Sequence, residues 1–427
     1  MAQQKLRWMR LDNAALIFPA ALRRTWSNAF RISFSFTDPV DPEILQQALD
    51  HTVQRFPSVC VRLRRGLFWY YLEELPSAPR VAEDSYQPLR HMGRRDVRRC
   101  GFRVLYYRNR MAVEYFHSVT DGTGGLTFAK TLAAEYVRLY FGVEVPAQCG
   151  IKELSEDVPA AELEDSFRDN GGPVAAARDD RNVYRPKDAL EPDRYLHVTQ
   201  GELDAEALHS LCAAKGVTVT AFLTAVLLDC LMEMQRSDVR NLRHMKPVKV
   251  QIPVNLRKLF PSETMRNFTA VANVGADPRL GDYTLDELVE IVHHQMRLSI
   301  TKKNMQAIFT PNVRDERNVL LKIVPLAVKN LVMRMVFDNV GETVSCLSFS
   351  NLGRVELPEA MAKYVQRVEF VLGAQSSAPH NVSATSFGGK LWINISRNSV
   401  EPRLERLFFT RLVQLGLHVR IEDNAKE

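Results

Sequence analysis

At 427 residues, 46% hydrophobic and 25% charged, the chain is long enough for two lobes of about 200 residues each and has an ordinary globular composition. The net charge of +6 is small for this length, and the basic residues are dispersed rather than gathered in one block, which argues against a nucleic-acid partner. Six cysteines without a C-x-x-C pair argue against a zinc knuckle or a disulfide framework.

In chain order, Phe30, Ile32, Phe34 and Phe36 alternate with Arg31, Ser33, Ser35 and Thr37, the pattern of a half-buried strand. Asp41-Pro42 then starts a helix whose apolar stripe is Ile44, Leu45, Ala48, Leu49, Val53 and Phe56. Leu67 to Leu72 reads as a further strand. The densest basic cluster, Arg90, Arg94, Arg95, Arg98 and Arg99 with Arg62, Arg64 and Arg65 upstream, is either a solvated face or an attractor of phosphate groups.

Phe102–Tyr107 and Met111–Phe116 read as a hairpin turning at Arg108 to Arg110. It carries His117 to its end, before Ser118-Val-Thr-Asp121-Gly122-Thr-Gly-Gly125 and a helical stripe from Leu126 to Tyr140. A histidine, with an ordinary pKa of about 6.5, can accept a proton at neutral pH if such a turn holds it. Asp121 either orients it, braces the loop or caps the following helix.

Residues 149–194 turn acidic, alanine-rich and turn-forming, which marks an interlobe linker, either a loop that crosses between lobes or covers a tunnel, or a mobile connector. The second half opens with a strand at Tyr195 to Thr199, a helix over 204–214, and a helix over Val217 to Met234 that is apolar nearly all round. Pro247 to Arg257 reads as a strand ending in a polar turn, with Arg266-Asn267-Phe268 beyond it. Helices are expected near Leu285 to Ile300 and over Asn318 to Phe337. The latter is strongly apolar with three basic residues, suited to a membrane surface or to packing on a sheet. Strands at Thr343 to Gly353, Val368 to Leu372, Val382 to Phe387 and Leu391 to Ser396 follow, the last two joined by Gly388-Gly389, and Glu401-Pro402 starts a final helix.

The scattered cysteines fit a reducing, cytoplasmic compartment; the N-terminus has no secretory h-region, and no apolar run reaches the roughly 18 residues of a transmembrane helix. Metal-binding His-Glu-x-x-His, dinucleotide and P-loop glycine patterns and Gly-x-Ser-x-Gly are all missing.

His117-Ser-Val-Thr-Asp121-Gly122 matches the His-x-x-x-Asp-Gly motif of the coenzyme A-dependent acyltransferase superfamily, which includes chloramphenicol acetyltransferase, condensation domains, wax ester synthases and bacterial alcohol acetyltransferases. The opening strand and helix, the second-lobe helix, Pro253-Val-Asn-Leu-Arg257 with Arg266-Asn-Phe268, and Ser350-Asn351-Leu-Gly353 resemble the same superfamily in order along the chain. The resemblance implies an α/β fold of two chloramphenicol acetyltransferase-like lobes, each a mixed sheet flanked by helices, with a tunnel at their interface. The compositional linker then sets the first lobe at 1–150, the linker at 151–194 and the second lobe at 195–427.

The resemblance further implies an alcohol acetyltransferase-like O- or N-acyltransferase. His117 would be its general base and Asp121 would turn away to pair with an arginine, for which Arg257 is nominated, with Gly122 structural beside them. Ser350 and Asn351 are candidate oxyanion or substrate contacts. Acyl-CoA would be a co-substrate rather than a bound cofactor, the acceptor a small alcohol or amine, and no metal is implied. An acyl carrier protein is the alternative donor, but Phe116 stands where many condensation domains have a second histidine. The competing class is a noncatalytic member that binds an acyl ligand or a partner protein.

Overall fold

The computed structural model describes residues 6–23, 26–85, 87–175, 182–193, 195–337, 344–374 and 379–424. In the first half the strands are β1 Trp8–Arg10, β2 Ala29–Phe36, β3 Val61–Arg65, β4 Tyr70–Glu74, β5 Ala82–Glu83, β6 Phe102–Tyr107 and β7 Arg110–Phe116. The second half adds β8 His197–Asp204, β9 Val248–Asn255, β10 Thr269–Ala276, β11 Leu347–Arg354, β12 Val365–Leu372, β13 His380–Phe387, β14 Lys390–Arg397 and β15 Arg420–Asp423. They form two large mixed sheets, β12-β2-β7-β6-β5 and β10-β9-β11-β13-β14-β8-β15, and a small sheet β1-β4-β3.

Helices cover both sheets. Pro42–Arg55 begins where Asp41 Oδ1 accepts from the backbone N–H groups of Glu43 at 2.8 Å and Ile44 at 3.1 Å, the expected cap. With Gly122–Phe141 it buries the first core around Phe30, Phe34, Phe56 and Phe128. Val219–Asp238 is buried almost all round and carries the second core, with Ile252, Phe349, Ile393 and Phe408. A third cluster joins Phe167, Phe268 and Phe309. The β13–β14 hairpin turns on Gly388 and Gly389, whose φ values of 56° and 80° lie in the left-handed region that the paired glycines permit.

Four features depart from the sequence reading. β2 is not half-buried: it lies inside its sheet between β12 and β7, and Arg31 and Ser33 are buried too. Arg31 is sustained there by Asp84 at 3.2 Å and Glu114 at 3.0 Å, because its polar face is turned toward the other lobe rather than toward solvent. The segment after Gly150 is anchored where it is described, with Glu162 paired in the interior to Arg55 at 2.7 and 3.0 Å. A helix Lys302–Arg317 with Pro311 inside it buries Met305, Phe309 and Val313 where the sequence reading placed no element. The expected helix over 318–337 is broken at Pro325 into Val319–Ile323 and Leu326–Val336.

The boundary expected at residue 194 does not separate the sheets. β12, deep in the second half, pairs antiparallel with β2 and completes the first sheet. Its backbone is stitched to the second sheet by Ser383 Oγ, which donates to the Phe370 carbonyl at 2.5 Å, and by Asn394 Nδ2, which donates to the same oxygen at 3.1 Å. Gln200 Nε2 donates to Glu369 at 2.5 Å. The face between the sheets is therefore polar and hydrogen-bonded.

Candidate active site

β7 delivers His117 to the edge of this interlobe face. The His117 backbone N–H donates to the Asn28 carbonyl at 2.9 Å, and the chain then turns into the helix Gly122–Phe141. Phe18 and Phe30 hold the half-buried imidazole between them, with ring centroids 4.9 and 5.2 Å away.

The turn is braced largely by residues from the second half of the chain. Asp121 is buried and caps the helix, Oδ1 accepting from Thr123 N–H at 3.1 Å and Gly124 N–H at 3.0 Å. Its Oδ2 accepts from Arg257 Nη1 at 2.7 Å, Phe268 N–H at 2.8 Å and Thr269 Oγ at 3.0 Å. Burial pushes this carboxyl up, but Arg257 and the N–H donors outweigh it and hold the pKa below its ordinary 3.8. Arg257 is fixed in turn by the carbonyls of Thr264 at 2.9 Å and Arg266 at 2.6 Å. Thr120 Oγ donates to the Met265 carbonyl at 2.7 Å.

Gly124, rather than Gly122, is where close approach demands a glycine. A Cβ on Gly124 would overlap the Thr120 hydroxyl and the Met265 carbonyl, whereas one on Gly122 would meet only the mobile end of Leu352 at 2.9 Å. That contact brings β11 against the turn. On β11, Asn351 Nδ2 donates to Thr220 Oγ at 3.2 Å and its Oδ1 accepts from Gly353 N–H at 2.8 Å, so its side chain is already committed. Ser350 makes no hydrogen bond from its side chain among the described residues.

Asn267 is the residue to which sequence reasoning gave no role. Its Oδ1 lies 3.0 Å from His117 Nδ1, while its Nδ2 donates to Asp12 Oδ2 at 3.1 Å. A carboxylate oxygen on one side requires the amide nitrogen there, which leaves the amide oxygen to accept from imidazole Nδ1–H. The hydrogen therefore sits on Nδ1 and Nε2 presents its lone pair. Burial raises the pKa of Asp12, against Arg266, Asn267 and the Ala15 N–H that lower it. Within the sequence, Arg266-Asn267-Phe268 was already a recognisable string, but nothing in it pointed across the lobes to His117.

No family model matches the chain, and no curated protein matches it by sequence. Solved structures do. Polyketide synthase associated protein 5 from Mycobacterium tuberculosis aligns at 16% identity and a TM-score of 0.62, over 95% of this chain and 97% of that one. F. graminearum TRI101, solved with ethyl coenzyme A, aligns at 11% identity and a TM-score of 0.62, over 97% and 99%. The condensation domain of the monacolin K polyketide synthase MokA aligns at 12% identity and a TM-score of 0.59, over 96% and 97%. The chain thus has, over nearly its whole length, a two-lobed fold like those of the MokA condensation domain, of TRI101 and of polyketide synthase associated protein 5.

Proposed function

We propose that the protein moves an acyl group from a coenzyme A thioester to a hydroxyl or amine acceptor, with His117 as general base. The observation that carries this reading is the imidazole fixed through Nδ1 by Asn267, with Nε2 unpartnered among the described residues. Nε2 takes the acceptor proton as the acceptor oxygen or nitrogen attacks the thioester carbonyl. The tetrahedral oxyanion collapses, the C–S bond breaks, and the imidazolium returns its proton to the departing thiolate, giving free coenzyme A. No acyl-enzyme forms. General-base help of this kind contributes about 10²–10⁴-fold.

Asp121 takes no proton in this scheme. Its lone pairs are spent on Arg257, Thr269 and backbone N–H groups, so it braces the turn. Ser350 is the candidate donor to the oxyanion, since the Asn351 amide is committed elsewhere. A phosphate-bearing donor is supported by the exposed Arg94, Arg95, Arg98 and Arg99, which precede Gly101, a residue packed on Val119 of the turn.

The test is thiol release from a panel of acyl-CoA donors with alcohols and amines. The wild type should turn over at least one pair and folded His117→Ala should lose about 10²–10⁴-fold. Equal turnover by the two proteins would overturn the assignment.

A further inference from the structure

The helix Leu326–Val336 is inside out for a helix in water. Its inner side buries Leu326 and carries polar groups: Lys329 Nζ donates to the Phe68 carbonyl at 3.1 Å and lies 3.6 Å from the centroid of the Trp69 ring, and Asn330 Nδ2 donates to the Tyr70 hydroxyl at 3.0 Å. Its outer side presents Val328, Leu331, Val332 and Val336, with Leu331 61% exposed. Ile323, just before the Pro325 break, is 65% exposed, and Leu67 on the neighbouring hairpin, whose carbonyl accepts from Leu326 N–H at 2.9 Å, is 73% exposed. A soluble helix turns its polar residues outward, so an apolar patch this continuous needs a partner.

We infer that this face docks on the surface of an anionic phospholipid bilayer. Between Asn318 and Phe337 there is no acidic residue, while Lys322 and Arg334 are exposed beside the apolar side chains. Aliphatic side chains flanked by exposed cations fit acyl chains beneath negative headgroups. No helix among the described residues is long and apolar enough to cross a membrane, so the contact lies along the surface. Its position matters for the site. Leu326–Val336 packs on the short helix Ile17–Ala21, whose Phe18 ring lies against His117, so a docked bilayer would lie against the element that holds the imidazole. Docking itself does not depend on the acyl-transfer reading.

The experiment is co-sedimentation of the full chain with vesicles of phosphatidylcholine alone and of phosphatidylcholine containing one-third phosphatidylglycerol, without substrate. The anionic vesicles should carry the protein down, less so as salt rises. Leu331→Glu with Val332→Glu should abolish binding while circular dichroism and turnover of water-soluble substrates stay unchanged. Lys322→Glu and Arg334→Glu should each weaken partition roughly fivefold or more. The inference is overturned if the wild type stays in the supernatant with both vesicles, or if the double glutamate variant sediments as well as the wild type. A wild type that ignores vesicles but forms a dimer broken by the same double variant would assign the face to a second copy and overturn it equally.

Discussion

Replacing Asn267 by alanine isolates what its hydrogen bond to His117 does. When His117 takes the acceptor proton it becomes an imidazolium, and its Nδ1–H, 3.0 Å from the Asn267 oxygen, turns into a charge-assisted donor. Bonds to charged groups contribute about 1.5–3 kcal/mol net, which at 1.36 kcal/mol per decade is a loss of roughly 10- to 150-fold in turnover. Asp12 keeps backbone donors from Ala15 at 2.8 Å and residue 267 at 3.3 Å, so the variant should fold, with a stability cost of about 1–3 kcal/mol for the lost amide donor. The assay is thiol release under saturating donor, together with the same substitution in a His117→Ala background. A residue acting through the base lowers kcat in the wild-type background and changes nothing once the base is gone. Full kcat in folded Asn267→Ala, or a further tenfold fall on top of His117→Ala, would refute the argument.

Two further outcomes follow from the packing. Gly124→Ala should lower the unfolding free energy by about 3 kcal/mol or more, because its neighbours include the rigid Met265 backbone, whereas Gly122→Ala should cost under half as much because Leu352 can move; equal melting temperatures for the two would contradict the geometry. Glu405 is buried against Arg397, and burial raises its carboxyl to about 7 from an ordinary 4.5. A carboxyl raised in the folded state stabilises fully below 4.5, and that contribution, on the order of 3 kcal/mol, is lost as pH rises toward and past 7. Glu405→Gln should therefore melt near the wild type at pH 5 and above it at pH 8, and a gap that shrinks with rising pH would disprove this.

Local signals carried most of the elements. The cap at Asp41, the paired glycines 388 and 389, and the mostly apolar run around Phe222 to Leu231 each act within a few residues, so periodicity and capping were enough to read them. What eluded the sequence depends on distant partners. Arg31 looked solvent-facing because alternation cannot tell water from a second sheet, and only Asp84 and Glu114 make its burial tolerable. Of the site, the turn from His117 to Gly125 was legible because strand, break and helix follow one another directly. Asn267 lies 150 residues away from His117 along the chain, and no spacing rule connects them.

The crossing of β12 into the first sheet has a consequence for how the chain is made. On a ribosome, β2 emerges early but waits for residues 365–372 before both its edges are paired. The nascent first lobe therefore spends most of synthesis with an open, strongly apolar strand edge, a template for misassociation. The first lobe is therefore not a unit that can be cut out and expressed: a fragment ending near residue 194 would keep β7 on one side of β2 and nothing on the other, and should aggregate unless a peptide spanning β12 is supplied in trans.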